Sequence, residues 1–523
     1  MHAASPAATA PLPPTAYAAP RATGGGFTTL VVAMFVAGTL VLLAGFGGRL
    51  ANVAYPAMAT AAGLLLFVRV PAAYVGFSLW LWFISPFVRR VLDLHHGWSP
   101  ASPVLLAPLT VALLSALAVI PRLKELRGML YAPFLLVFLA FGYGYTVGII
   151  NAGVVPATYS LTTWLAPAVF GLYVAINWRR YPQFSASVRR TFGWALPLLA
   201  AYGLYQFVKM PAWDAQWMIN ADLRSIGAPR PFLVRAFGTL NTPGPFAGFL
   251  CAGSLMLMPQ KGRLRFLWIA MAVLALLLTR TRAAWVAFVI GLVVQQFGQP
   301  VSKLPKYLFT VIAAAIVAIP FARLPQVSNL ILPRLQSFSN LSEDNSFIRR
   351  YNFSEQAATG IVETAEGYGL GTTGGAIKLR GNQGVRSLDN GFLEVFFIYG
   401  WPGGTLFFLG IFGMLLQSVR FRETHSDQFA NAARAITVAL VSILPIGDVF
   451  TGSTGTLLWM AAGFGIAGHG YHLTTGLALR SAQARQRMQA RVVPAPAPVP
   501  AAAAVPGVTP APRGPGAGRP VTA

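Results

Sequence analysis

"FTTLVVAMFVAGTLVLLAGFGG", residues 27–48, contains no charged side chain. A helix needs about 20 mostly apolar residues to cross the hydrocarbon of a bilayer, so this stretch reads as a span. Comparable stretches follow near 50–68, 72–88, 102–120, 130–150, 156–177, 192–210, 239–258, 265–279, 283–298, 306–323, 391–418, 432–450 and 455–477. The fold expected is therefore an all-α polytopic membrane protein with about 12–14 transmembrane helices. The lower number applies if the pairs around Gly48 and Arg280, whose turns are very short, are each one kinked or re-entrant element. Composition agrees: 55% of the residues are hydrophobic and 10% charged, against roughly 25% charged in soluble domains.

The segments divide the chain. Residues 1–26 are an Ala/Pro-rich tract expected to be disordered. Its low positive charge and the length of the following segment argue against a cleaved signal. Residues 27–324 carry the N-terminal spans, 325–389 form a long polar loop, 390–478 hold the last spans, and 479–523 are first basic and then rich in Ala and Pro. In the loop, residues 346–366 read as an amphipathic helix with an apolar stripe of Phe347, Ile348, Tyr351, Ile361 and Val362 and a stop at Gly367. The glycines of "GYGLGTTGG" suggest a flexible lid over a cavity. The lone cysteine, Cys251, rules out a disulfide framework within the chain.

Basic residues in short loops favour the cytoplasm. Arg122, Lys124 and Arg127; Arg179, Arg180, Arg189 and Arg190; Lys261, Arg263 and Arg265; Lys303 and Lys306; and Arg420, Arg422 and Arg434 all fall on one side of the fourteen-span reading. Both termini are then cytoplasmic. The remaining basic residues map to the outer face, where that rule disfavours them: Arg224, Arg230, Arg235, Arg280, Arg282, Arg334, Arg349, Arg350, Lys378, Arg380 and Arg386. Guanidinium grips phosphate with a planar fork of donors, so an anionic phosphate ligand at the membrane boundary is expected there, a lipid-linked pyrophosphate by side, charge and depth. Pairing with Asp222, Glu343, Asp344, Glu355, Glu363 and Glu366 is the bland alternative for most of them. It is weaker for Arg280 and Arg282, which sit between two apolar segments where ionisable groups are costly.

Departure of a lipid-linked pyrophosphate under attack by a nucleophile needs cationic donors on the leaving group and a carboxylate for the nucleophile's proton. Asp389 is the base expected, although Asp or Asn before an apolar helix is also a common N-cap. Asn390 reads as a cap or orienting group. Glu394, in the first turn, is either a dipole partner or a contact to acceptor sugar. Arg349, Arg350, Arg224 and Tyr368 complete the expected substrate contacts, and Asp448 is a lesser candidate. Trp213 and Trp217 fit either a sugar platform or, preferably, an interfacial belt. His95 and His96, near Arg89, Arg90 and Asp93, lack further ligands, so no metal and no cofactor is expected.

"RAFGTLNTPGPFAGFL" (235–250), "LLLTRTRAAWVAF" (276–288), "EGYGLGTTGG" (366–375) and "LDNGFLEVFFIYGWPGG" (388–404) together resemble the bacterial O-antigen ligase and polysaccharide polymerase family. The resemblance covers roughly 235–404. It implies transfer of glycan from an undecaprenyl-pyrophosphate carrier to a sugar hydroxyl on the periplasmic face of the bacterial inner membrane. Arg235 and Arg282 match the arginines that would hold the diphosphate. Three positions depart from the pattern: Thr281 for serine, Ala283 for glycine, and Asp389 where ligases typically have histidine. The last points toward the polymerase branch, with a growing glycan as acceptor, membrane lipids, a chain-length regulator and a flippase as potential partners, and no nucleic acid; ligase-type transfer to lipid A core or to protein is the alternative. A lipid-linked sugar transporter is the competing class, but transporters commonly show repeated halves, whereas here the unusual residues gather late and on one face.

Overall fold

The computed structural model describes residues 25–260, 264–297, 361–381, 390–421 and 423–492, with single positions between these stretches; of 224, 380, 423 and 477–492 it describes the backbone alone. The expected span 306–323 and most of the amphipathic segment 346–366 lie outside the described residues. The expected helices form as α1 (Gly25–Leu43), α2 (Ala51–Arg69), α3 (Pro71–His96), an irregular α4 (Pro103–Arg127), α5 (Ala132–Ala152), α6 (Val154–Ile176) and α7 (Tyr181–Lys209). Short α8 (Ala212–Asn220) precedes α9 (Pro243–Leu257), α10 (Leu264–Leu278) and α11 (Arg282–Gln296), and α12 (Gly391–Arg420), α13 (Gln428–Val441) and α14 (Gly452–Val492) complete the set. Among the described residues, eight helices are long and apolar enough to cross a membrane and no strand is found. The chain is an all-α, multi-pass membrane protein.

Helices α6 and α14 form the centre of the bundle. They meet backbone to backbone: a Cβ at Gly171 would lie 2.3 Å from the Trp459 carbonyl oxygen, and one at Gly463 would lie 2.2 Å from the Gly171 oxygen. In lipid, where apolar side chains gain little from leaving the solvent, such small-residue seams supply the contact that holds helices together. Helix α5 packs on α12, α13 on α11 and α14, and α10 on α7.

Hydrogen bonds sort the loops into two ends. At one end Gln417 donates to Leu130 O, Tyr181 to Asp427, Gln295 to Leu255 O, and Asn431 to Gln295 O. This end gathers the loops that carry Arg122 and Arg127, Arg179 to Arg190, Arg265, and Arg420 with Arg434, while Lys303 and Lys306 lie outside the described residues. At the other end Arg90 donates to Gly238 O and Leu240 O, Arg235 to Thr279 O, and Lys378 to Pro100 O.

Helices α9, α10 and α11 have 15 residues each. At 1.5 Å per residue they rise about 22 Å, short of a hydrocarbon core of about 30 Å. Arg265 at the start of α10 and Gln295 at the end of α11 hold their outer-loop-distal ends at the basic face. The Thr279–Thr281 turn at the opposite ends is therefore recessed relative to the ends of the longer helices, which is the geometry of a re-entrant pair.

The "GYGLG" stretch is not a lid. Tyr368 N–H donates to Phe397 O, Gly369 N–H to Ile398 O, Leu370 N–H to Gly144 O, and Trp401 N–H to Ala365 O. The stretch is wedged beside a break in α12 at Gly400, where φ is 59° and ψ −170°. Irregular backbone survives at membrane depth only where protein satisfies its polar groups, and the interrupted α12 and the middle of α5 do so here. Gly369 has φ +81°, and a Cβ there would lie 2.2 Å from Gly148 N, a backbone atom that cannot swing aside. Gly369→Ala is expected to cost about 3 kcal/mol or more from overpacking and left-handed strain, read as a lowered Tm of the purified protein in detergent.

Candidate active site

The segment 235–241 crosses the recessed end of the bundle, anchored from beneath. Gln206 Oε1 accepts from Phe237 N and Gly238 N, both at 2.9 Å. Its Nε2 donates to Asp214 Oδ2 at 2.6 Å. Arg90 pairs with Asp214 at 3.2 Å, both side chains fully buried, and donates to Gly238 O at 2.8 Å and Leu240 O at 3.2 Å. Tyr202 OH adds a hydrogen bond to Asp214 and accepts one from Trp213 Nε1. A buried charge costs several kcal/mol unless paired and hydrogen-bonded; here the two charges pair, and hydrogen bonds reach all their polar atoms but Arg90 Nε and Asp214 Oδ1, the latter held by the ion pair alone.

On this platform Arg235 reaches the re-entrant turn. Its Nε donates to Thr279 O at 2.9 Å and its Nη2 to Thr281 Oγ1 at 3.1 Å, while Ala236 N donates to Leu278 O. The Arg235 fork thus fastens the turn that carries Arg280 and Arg282. Arg280 holds φ +52°, a left-handed value uncommon outside glycine. Such strain at a candidate site is consistent with a backbone shaped to aim a side chain. Thr281 is the N-cap residue of α11 and Arg282 its first residue, so the positive end of the helix dipole adds to the arginine charge. Arg235, Arg280 and Arg282 are each half-buried, and Arg235 Nη2 also donates to Arg280 O at 3.4 Å.

A second group lies at the start of α12. Asn390 is the N-cap, its side chain accepting from Phe392 N at 2.9 Å and Leu393 N at 3.2 Å. The cap position therefore belongs to Asn390, and the capping alternative weighed for Asp389 is met by its neighbour. Asp389 itself, Arg349 and Arg350 lie outside the described residues, as does the Arg224 side chain. Glu394 is buried at 7% exposure and lies 3.5 Å from Thr373 Oγ1. Tyr368 stacks on Phe397, ring centres 4.3 Å apart, with its carbonyl held by Asn151, so its aromatic face is engaged within the fold. Asp448 accepts from Phe450 N and Thr451 Oγ1 before α14. Burial pushes its carboxyl above the usual carboxylate range, against those hydrogen bonds.

The end of α3 bridges the two groups. Arg90 holds 235–241, and the following segment accepts from Lys378 at Pro100 O. Arg89 pairs with Asp93 at 3.2 Å and lies 4.9 Å from the ring of Trp98 and 4.8 Å from that of Trp217. Trp217 is thus buried under an arginine rather than set in an interfacial belt. The sequence reading left Arg90, Gln206 and Asp214 without a role. The available signal was their polarity in or beside apolar helices, where ionisable groups are functional candidates by default.

No curated protein matches the chain. The family comparison is more informative, because its match begins at α10 and ends within α12, taking in the re-entrant turn and the start of α12 but not Arg235. Over residues 266–408, the stretch that holds Arg280, Arg282, Tyr368, Asn390 and Glu394, this membrane protein matches the O-Antigen ligase family.

Proposed function

We propose that the chain is a polysaccharide polymerase that moves glycan from an undecaprenyl-pyrophosphate carrier to a hydroxyl of an acceptor repeat unit, at the periplasmic face of the bacterial inner membrane. The observation that carries the reading is the recessed turn on which Arg280 and Arg282 sit at a helix N-terminus, fastened by Arg235. The family match supports glycan transfer of the O-antigen ligase and polymerase type. The donor, the acceptor and independence from metal are our reading.

In the reaction the acceptor oxygen bonds to the anomeric carbon of the donor as the bond from that carbon to the phosphate oxygen breaks. The carrier pyrophosphate leaves with its electron pair, and the hydroxyl proton passes to Asp389. Arg282 and Arg280 balance the charge growing on the departing diphosphate, and Arg235 keeps their turn in place. Because the transition state is oxocarbenium-like, the proton is lost late, and a carboxylate of ordinary pKa, about 4, suffices. Asp389→Asn is expected to lower transfer by about 10²-fold or more, the contribution typical of a general base. Near-normal turnover of that variant in reconstituted membranes would remove Asp389 from the mechanism.

The ligase reading has the family description in its favour. Deleting the gene, complementing it, and sizing the lipid-linked and exported glycan separates the two. Single lipid-linked repeats without long chains mark a polymerase, and long chains held on the carrier mark a ligase.

A further inference from the structure

At the end of the bundle opposite the arginine turn, Arg122, Glu125, Ile176, Asn177, Trp178, Arg179 and Arg180 line a recess of about 270 Å³. The charge rule accounts for arginines at such loops, but not for their convergence on one cavity. Arg122 Nη1 donates to Asn177 Oδ1 at 3.2 Å, and Asn177 Nδ2 donates to Tyr173 O at 2.8 Å. Arg179 lies 4.9 Å from the Trp178 ring, and that ring is wedged against Gly470 of α14. The wall is thereby fixed from two helices. Three guanidinium groups face one carboxylate, leaving an excess of positive charge around a space large enough for a phosphate group.

The surroundings indicate where that phosphate comes from. The recess lies where α4 and α6 end, and the ends of spanning helices are where headgroups are met. On α4 beside it, Leu117, Ile120 and Leu123 are 55%, 60% and 53% exposed, an apolar flank suited to acyl chains. Basic pockets between transmembrane helices bind anionic headgroups by this combination of charge and adjoining apolar surface.

We propose that this recess binds the phosphate of an anionic lipid headgroup, with the acyl chains lying along α4. It is separate from the donor site, and the proposal does not depend on the reaction performed there.

The test uses the full chain purified in mild detergent, stripped of lipid and titrated with phosphatidylglycerol while native mass spectrometry counts retained lipids. Wild-type protein is expected to retain phosphatidylglycerol over phosphatidylcholine. R179Q/R180Q should weaken retention by about fivefold per arginine. E125Q should strengthen it, because the opposing carboxylate is gone. Two exposed variants with effects of opposite sign separate the site from a folding defect. Equal retention by all three proteins would overturn the proposal. Displacement of the lipid by inorganic pyrophosphate, with the same dependence on Arg179 and Arg180, would overturn the lipid assignment in favour of a soluble phosphate ligand.

Discussion

Arg282→Ala is expected to lower glycan transfer by about 10²–10³-fold, the scale on which removing one preorganised donor to a developing anion acts. Arg282 is the first residue of α11, so its positive charge adds to that of the helix N-terminus. The shortness of α10 and α11 keeps that point short of the ends of the longer helices, and Arg282 is half-buried there, which weakens screening by water. Arg282→Lys keeps the charge and loses the planar fork, and its activity should fall between those of alanine and arginine. Arg235→Ala is a less clean test, because the guanidinium binds Thr279 O and Thr281 Oγ1 and its loss also loosens the turn. The measurement is initial rate per folded protein, with abundance checked by gel filtration. Unchanged activity in Arg282→Ala would detach the turn from the chemistry.

The largest effect on stability is expected at Asp214. Its carboxylate meets Arg90, Gln206 and Tyr202 with no exposure to solvent. Asp214→Ala leaves Arg90 buried and uncompensated, a change that typically costs about 3–5 kcal/mol. The loss should appear as a marked drop in Tm and in the yield of folded protein. R90M/D214L removes both charges and should recover part of it, since a buried pair replaced by apolar groups is often nearly neutral. Recovery should be incomplete, because Gln206 and Tyr202 lose an acceptor and segment 235–241 loses the two carbonyl contacts from Arg90. A double variant no more stable than Asp214→Ala would contradict the charge argument.

The helices were legible because a bilayer imposes one requirement, long apolar runs, and the chain writes them plainly. The grouping of the described basic loops at one end was legible for a related reason: the charge rule acts on short loops one at a time. What the sequence concealed depends on contacts between distant segments. The run "GYGLG" has the composition of a mobile loop, and only the break at Gly400 together with the Gly144 carbonyl makes it a buried wedge. Arg90 sits beside Arg89 in the chain, yet Arg89 lies against tryptophan rings while Arg90 supports segment 235–241 from below. Adjacent residues on a helix face different neighbours, and no local pattern says which. At the site, the arginines of the turn were visible from their cost between two apolar segments. The fastening role of Arg235 was not, because it rests on carbonyl groups more than forty positions away.

Glycan transfer requires that the recessed arginines stabilise a departing carrier diphosphate. The most direct test is to reconstitute the purified protein with a polyprenyl-pyrophosphate-linked repeat unit and an acceptor glycan, and to count free carrier pyrophosphate against new glycosidic bonds. One carrier released per bond formed, with both falling together in Arg282→Ala, is the result this reading predicts. Movement of intact donor across the bilayer with no carrier released would contradict it and make the protein a transporter.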